Sequence, residues 1–510
     1  MDSLDRAAGD AASATTDPAG PPPATRDGRP WHDTRFGQLI DAFQTILTAV
    51  ILAFVFRSFF IEAFIIPSGS MANGLLGAHR TLLCPACGWE FDRGIQGLSD
   101  PTATAACPNC HWRLTAEQAE SASKDGDRIL VHKWVAAFAG WLGPRRWDVI
   151  VFRDPASPDE NYIKRVAGLP GERIEILDGD VFVNGVVAHK PEFVQRGLWN
   201  VVHDQDHLGV DAATGEIDPP WRTASGDGWR GMNRRELIFQ PRAAGDSASL
   251  QFAPAHSSRY LHDVSGYNGP AADSPVNDVR ISAELRLAAT CEFQWEIRRD
   301  ADRMRFRLCG DGRLRITLDR GDGARTLVER SMTGAPSADG PLQAHVAFAC
   351  VDWQIRCDVD GEAVFRSSAA EFAPDLERLR SRTRVDPPAL RMQASGGLVE
   401  VRGLRVDRDV YYTYSPSASQ RAGPGSEFAL ADGSYFVLGD NSAHSHDSRE
   451  WYRVGAHLAA SHAAGDYQLG TVRVDQIVGR AFVVYLPGLL PPDGQARWRL
   501  PDLGRVRLIR

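Results

Sequence analysis

The sequence lacks the charge imbalance that marks nucleic-acid binders: 57 Lys and Arg stand against 65 Asp and Glu, a net charge of -8. A protein that tracks phosphates needs a basic patch or stripe, so nucleic acid is not expected as a partner. Large apolar side chains are almost missing from the first 35 residues, which are rich in Ala, Pro, Asp, Thr and Gly. Such a segment cannot bury enough surface to offset its ordering entropy, and 1–35 is predicted to be a disordered tail. No internal repeat is evident, no helix-turn-helix is apparent, and no His-Asp pattern for a serine-protease triad stands out.

What is present begins with an apolar run, LIDAFQTILTAVILAFVF from Leu39 to Phe56. Its uncharged part, Ala42 to Phe56, is roughly 22 Å long as a helix, short of the ~30 Å hydrocarbon core. Asp41 and Arg57 would therefore sit at the two interfaces, with Arg57 snorkelling. A buried or interfacial helix is the alternative. Arg26, Arg29 and Arg35 precede the run and Arg57 closely follows it, which favours a cytoplasmic N-terminus. The run starts late and has no clear A-x-A site, so an uncleaved single-pass anchor over 36–58 is expected rather than a cleaved signal peptide.

The eight cysteines fall into two sets. Cys84-Pro-Ala-Cys87 and Cys107-Pro-Asn-Cys110 make two CxxC turns nineteen residues apart, the spacing of a four-thiolate zinc ribbon over 82–114. Two local disulfides or one redox pair are the alternatives. Zinc there would be structural, since four thiolates leave no position open for water. Cys291, Cys309, Cys350 and Cys357 have no such spacing. Cys357 alternates with Trp353, Ile355 and Val359 and reads as core, whereas Cys309 shares a face with Arg305 and Arg307 and reads as exposed.

Short β-branched runs broken by Asp-Gly, Asn-Gly and Pro-Gly follow the ribbon, the pattern of hairpins in an all-β domain. They include GDRILVHKW at 126–134, WDVIVFRDP at 147–155 and NYIKRVAGLPGERIEILDGDVFVNG at 161–185. Strands of this kind resume at GSYFVLG, 433–439, and VGRAFVVYLPG, 478–488. Between them, 198–413 alternates apolar residues with arginines around Asp311-Gly312 and Asp360-Gly361 turns, as in RMRFRLCGDGRLRITLDR. Regular alternating strands over this length predict an inserted β-sandwich, with the arginines on a solvated face.

Ser68 and Ser70 stand just past the apolar run, in IIPSGSM. A serine hydroxyl needs a neighbouring base before it can attack. Alternation along NYIKRVAG puts Tyr162, Lys164 and Val166 on one face. Burial between an aromatic and a β-branched residue would lower the lysine pKa, and a neutral amine can serve a serine as base. A surface lysine on an edge strand is the plain alternative.

Four blocks in order resemble the type I signal peptidase family. They are Ser68-Gly69-Ser70-Met71 after the anchor, Gly126 to Val131, Lys164 to Glu172 (KRVAGLPGE), and Gly439-Asp440-Asn441 with Ser445 and Asp447-Ser448-Arg449. The resemblance implies Ser70 as nucleophile, Lys164 as general base and Ser68 as an oxyanion donor. It also implies Ser445 as the serine that orients the amine, and Asp447 and Arg449 as a structural ion pair. Two departures are visible: Ala72-Asn73-Gly74-Leu75 replaces the usual x-Pro-Thr-Leu, and Ser442-Ala443-His444 replaces a charged or amide-rich triplet.

The whole reads as a mainly β protein: one N-terminal transmembrane helix, then a signal-peptidase-type β catalytic domain. That domain would occupy 59–197 and 414–490, interrupted by the zinc ribbon and by the large β-sandwich (loosely lectin- or laminin-G-like), with a tail at 491–510. The implied activity is removal of signal peptides from exported preproteins, with small side chains before the scissile bond and no cofactor for catalysis. Membrane lipid is the other implied partner. The implied place is the bacterial inner membrane, with the catalytic domain extracytoplasmic. The competing readings are an autocleaving repressor-like Ser-Lys protease and a catalytically idle membrane scaffold whose sandwich binds glycans or proteins.

Overall fold

A computed structural model describes residues 35–95, 105–121, 123–134, 143–211, 214–243, 245–253, 261, 267, 274–332, 340–382, 385–414, 420–487 and 503–509. The tail expected at 1–35 lies, Arg35 apart, outside these residues. The chain divides into two compact units, 1–61 and 62–510. In the first, a 25-residue helix runs Arg35–Phe59 and is long and apolar enough to cross a membrane. The second is mainly β.

In the second unit one antiparallel sheet carries Lys164. Its strands run in the order Arg128–His132, Ile477–Leu486, Val149–Arg153, Asn161–Gly168, Ser434–Leu438 and Val472–Arg473. Alternation sets its two faces. Ile150, Phe152, Val166 and Val437 pack on one side, and Val149, Val151 and Ile163 join Met71 and Leu75 on the other. The register pairs Ile150 with Lys164 and Val149 with Arg165. Asn161–Gly168 and Ser434–Leu438 are hydrogen-bonded neighbours although some 270 residues separate them in sequence. From the segment read as a C-terminal tail, Arg507–Leu508 adds to this sheet by pairing with Val483 and Val484.

The inserted stretch 198–413 accounts for most of that separation. Its first strand, Asn200–Asp204, pairs antiparallel with its last, Val399–Arg408, so the excursion leaves and returns at one place. A long insertion whose ends are held together costs the parent sheet little. Two antiparallel sheets form the insertion, and their inner residues alternate as the sequence does. Phe293, Trp295, Ile297, Met304, Phe306, Leu308, Leu314 and Ile316 are all fully buried. Each such side chain contributes about 1.5–3 kcal/mol by leaving water. Arginines on the other face are laced across strands, as where Arg305 Nε donates to Glu296 Oε2 at 2.7 Å.

A buried ionic joint ties the insertion to the segment just before it. Lys190 meets Asp352 and Asp409, and Arg299 meets Asp178 at 2.8 Å and Asp278 at 2.9 Å while lying over the Trp353 ring. Taking away one member of so buried a set would strand an uncompensated charge. A small three-stranded sheet of His79–Leu83, Glu90–Gly94 and Ser123–Lys124 runs through and beyond the segment read as a ribbon.

None of the eight cysteines is joined in a disulfide. Cys350 and Cys357 are buried in the sandwich core, and Cys309 is half-buried.

Candidate active site

Strand alternation aims Lys164 at the turn that carries Ser70. The amine Nζ and the Ser70 Oγ lie 2.7 Å apart, and both residues are buried. Lys164 also lies 5.7 Å from the centre of the Tyr162 ring. Burial pushes its pKa down from 10.5 to about 8. The nearby Asp447 carboxylate opposes that shift and the Arg449 guanidinium reinforces it, so desolvation decides the outcome.

Asp447 and Arg449 are both fully buried and joined by two parallel hydrogen bonds, Nε to Oδ1 at 2.9 Å and Nη2 to Oδ2 at 2.8 Å. Burial acts to raise the Asp447 pKa, but Arg449 and the hydrogen bonds outweigh it and hold the carboxyl below its ordinary value. Arg449 Nη1 also donates to Ser442 Oγ at 2.7 Å and to the Thr413 carbonyl, where the insertion rejoins the sheet. Ser442, first residue of the atypical triplet, is thus tied into the ion pair.

Ser445 is buried, and its Oγ has no hydrogen-bond partner among the described residues. A Cβ on Gly439 would overlap that hydroxyl and stand 2.6 Å from the Ser70 carbonyl oxygen, so Ser445, Gly439 and Ser70 converge at one spot. Ser68 is half-buried. Its stretch of chain packs so closely on Gly126 that a Cβ there would collide with the Ile66 carbonyl.

Several residues that hold the site were given no role by sequence reasoning. Asn441 N donates to the Ser70 carbonyl at 3.0 Å, and its side-chain Nδ2 donates to the Gly69 carbonyl at 2.9 Å. Arg165 makes two hydrogen bonds to Asp440, at 2.8 and 2.7 Å, on the opposite strand face from Lys164. Asp127 Oδ2 accepts from Leu76 N at 3.1 Å and from Arg507 at 3.0 Å, closing the loop after Ser70. Arg165, Asp440, Asn441 and Asp127 all lie inside the four sequence blocks, so the blocks were the available signal. Their pairing was not visible.

The four ribbon cysteines also converge, with one sulfur from each within 4.8 Å of the others. Cys84 and Cys110 sulfurs are 3.5 Å apart, and those of Cys87 and Cys107 are 3.7 Å apart. Zinc–sulfur bonds of about 2.3 Å give a tetrahedral edge of about 3.8 Å, so these positions fit a structural metal. Both turns are built alike: Cys84 N donates to Trp89 O and Cys107 N to Trp112 O, each at 2.9 Å. Asn109 anchors the second turn to the insertion, accepting from Asp204 N at 2.7 Å and donating to His207 O at 2.6 Å. Asp180, Asp278 and Asp352 form another converging set, but Arg299 and Lys190 already stand against those carboxylates.

Residues 111–210 and 393–486 match the family model described as signal peptidase, peptidase S26. Signal peptidase I of Rickettsia bellii (strain OSU 85-389) is 24% identical over 160 residues, 31% of this chain and 43% of that protein. Signal peptidase I of Pseudomonas fluorescens is 30% identical over 148 residues, 29% of this chain and 38% of the relative. The chain thus spans less than half the length of these curated relatives. Among solved structures, the carbohydrate binding module CBM66 from Bacillus subtilis covers 37% of this chain and 96% of its own, at 8% identity and a TM-score of 0.25.

Proposed function

We propose that this chain, which belongs to the type I signal peptidase family, is a membrane-anchored serine endopeptidase that removes signal peptides from exported preproteins. The observation that carries the reading is the 2.7 Å approach of a desolvated lysine amine to Ser70 Oγ. In the proposed mechanism Ser70 attacks the scissile carbonyl while neutral Lys164 takes its proton. The resulting ammonium returns that proton to the leaving amine, and water repeats the sequence on the acyl-enzyme. The Ser70 N–H and the Ser68 hydroxyl would face the tetrahedral oxyanion, where such donors contribute about 3–4 kcal/mol each. Ser445, with an unspent hydroxyl, would steady the amine, and the Asp447–Arg449 pair would hold Ser445 and Gly439 in place.

The helix Arg35–Phe59 would anchor the enzyme in the bacterial inner membrane with its N-terminus cytoplasmic, so that lipid and emerging preproteins are its partners. Processing of a model preprotein by the purified full chain in detergent, and its loss in Ser70→Ala, tests the reading. An active Ser70→Ala protein would sink it.

The pH dependence follows from the sign of the lysine shift. Only the neutral amine accepts a proton, so kcat/KM should rise with pH through an apparent pKa of about 8 and then level off. A rate that is flat from pH 6 to 9 would remove Lys164 as the base.

For the ribbon we expect one zinc per chain, held by Cys84, Cys87, Cys107 and Cys110 and needed for folding rather than chemistry. Metal analysis should find one equivalent, and Cys87→Ser should lose it. Chelation should lower the melting temperature without an immediate loss of cleavage. Four blocked thiols with no metal would overturn the assignment.

A further inference from the structure

We infer that Arg507 is a positioning residue for the nucleophile: from the added strand Arg507–Leu508 it holds the far end of the turn that presents Ser70. The inference rests on the peptidase reading above and extends it to a segment outside the four sequence blocks.

The turn is tied into one unit. Leu75 N donates to the Met71 carbonyl at 2.8 Å and Ala72 N to the Gly69 carbonyl at 3.1 Å. Met71 and Leu75 are buried against Ile129, Val131, Val149 and Ile163. A unit wedged in this way moves as a whole, and what holds its two ends sets its orientation. Asn441 holds the Ser70 end through the Gly69 and Ser70 carbonyls. Arg507 Nη2 holds the other, donating to the Gly74 carbonyl at 2.6 Å and to Asp127 Oδ2 at 3.0 Å. Asp127 grips Leu76 twice, accepting from its N at 3.1 Å and donating to its carbonyl at 2.8 Å. Asn73 Nδ2 also donates to Asn200 Oδ1 at 2.8 Å, but that bond is exposed and water competes for it.

Charge makes Arg507 hard to replace. Asp127 is fully buried, and its Oδ1 has no hydrogen-bond partner among the described residues. Arg507 is the cation that meets its other oxygen. Losing the guanidinium would strand that carboxylate and release the Gly74 carbonyl together. The strand that carries it is well seated. It pairs with Val483 and Val484, and Ile509 packs on the cluster that buries Met71 and Leu75. Arg507 Nη1 donates to the Arg505 carbonyl at 3.0 Å, which fixes the guanidinium plane. Arg505 Nη2 donates instead to Asp92 Oδ2 at 2.7 Å, an anchor for the same segment that does not touch the turn.

The test compares Arg507→Ala with Arg505→Ala in the full chain in detergent, by preprotein cleavage and thermal melts. Arg507→Ala should lose about tenfold in kcat with KM within about twofold, less than the ~10²-fold expected for a 1 Å displacement. Methylguanidinium should recover most of that loss by occupying the vacated place, and should leave wild type unchanged. Arg505→Ala should melt lower and keep the wild-type kcat. Arg507→Lys keeps the charge without the planar fork and should lose about threefold in kcat with an unchanged melt, so a poorly folded alanine variant does not void the comparison. Wild-type kcat in either Arg507 variant, an equal loss in Arg505→Ala, or a loss that methylguanidinium leaves untouched overturns the positioning role while the peptidase reading stands. No cleavage by wild type overturns both.

Discussion

Replacing Lys164 by methionine or by arginine should cut turnover by about 10²–10⁴-fold while the chain stays folded. The two substitutions fail for different reasons. Methionine fills a similar volume and has no base, whereas a guanidinium keeps its proton throughout the working pH range. Stability should survive the methionine change because the native amine is already in an unfavourable place. It is 4% exposed, and burial has pushed its pKa down to about 8. A buried group held away from its preferred charge state contributes little to the fold, so thermal denaturation of Lys164→Met should match or exceed wild type. Arginine is larger and charged, and should lower the melting temperature in addition. Single-turnover cleavage beside thermal melts checks both claims. A Lys164→Met protein with near-normal turnover would remove the lysine from the chemistry altogether.

That lysine also marks how far the sequence could be read. Period-two alternation in NYIKRVAG is a local property, and it is enough to place Lys164 with Tyr162 and Val166 on one face. The CxxC spacing is equally local, since each turn builds its own pair of sulfurs. Contacts between distant segments are another matter. Asn441 reaches Gly69 across 372 positions and Arg165 reaches Asp440 across 275, and no periodicity encodes such pairings. Likewise the alternating arginine strands told of a sandwich, but not that its first and last strands pair with each other. Nor did they tell that Lys190 and Arg299 would be drawn into a joint with five aspartates. These buried ion pairs depend on which surfaces meet after both parts fold. The Asn73-Gly74 and Ser442 departures could be seen in the sequence as differences. Their partners, Asn200 and Arg449, could be seen only in three dimensions.

Gly439→Ala should reduce kcat/KM by about 10²-fold, the order expected when reacting atoms are displaced by about 1 Å. The added methyl would overlap Ser445 Oγ and lie 2.6 Å from both the Ser445 Cβ and the Ser70 carbonyl oxygen. Rotation of the Ser445 hydroxyl would relieve one of these contacts, but the other two involve atoms that cannot turn away. The strand end cannot retreat either, because Gly439 N is bound to Asp447 Oδ2 at 3.0 Å and Asn441 N to the Ser70 carbonyl at 3.0 Å. Strain must therefore pass to the Ser70 turn, and the 2.7 Å approach of Ser70 Oγ to Lys164 is what it would open. The loss should fall mainly on kcat, with the pH profile still governed by the lysine. Gly340→Ala, at a position with nothing within 4 Å of its would-be Cβ, serves as the control and should cleave like wild type. Wild-type kcat in Gly439→Ala would mean that the nucleophile turn is free to shift, and the rigid support drawn from Asn441 and Asp447 would fall.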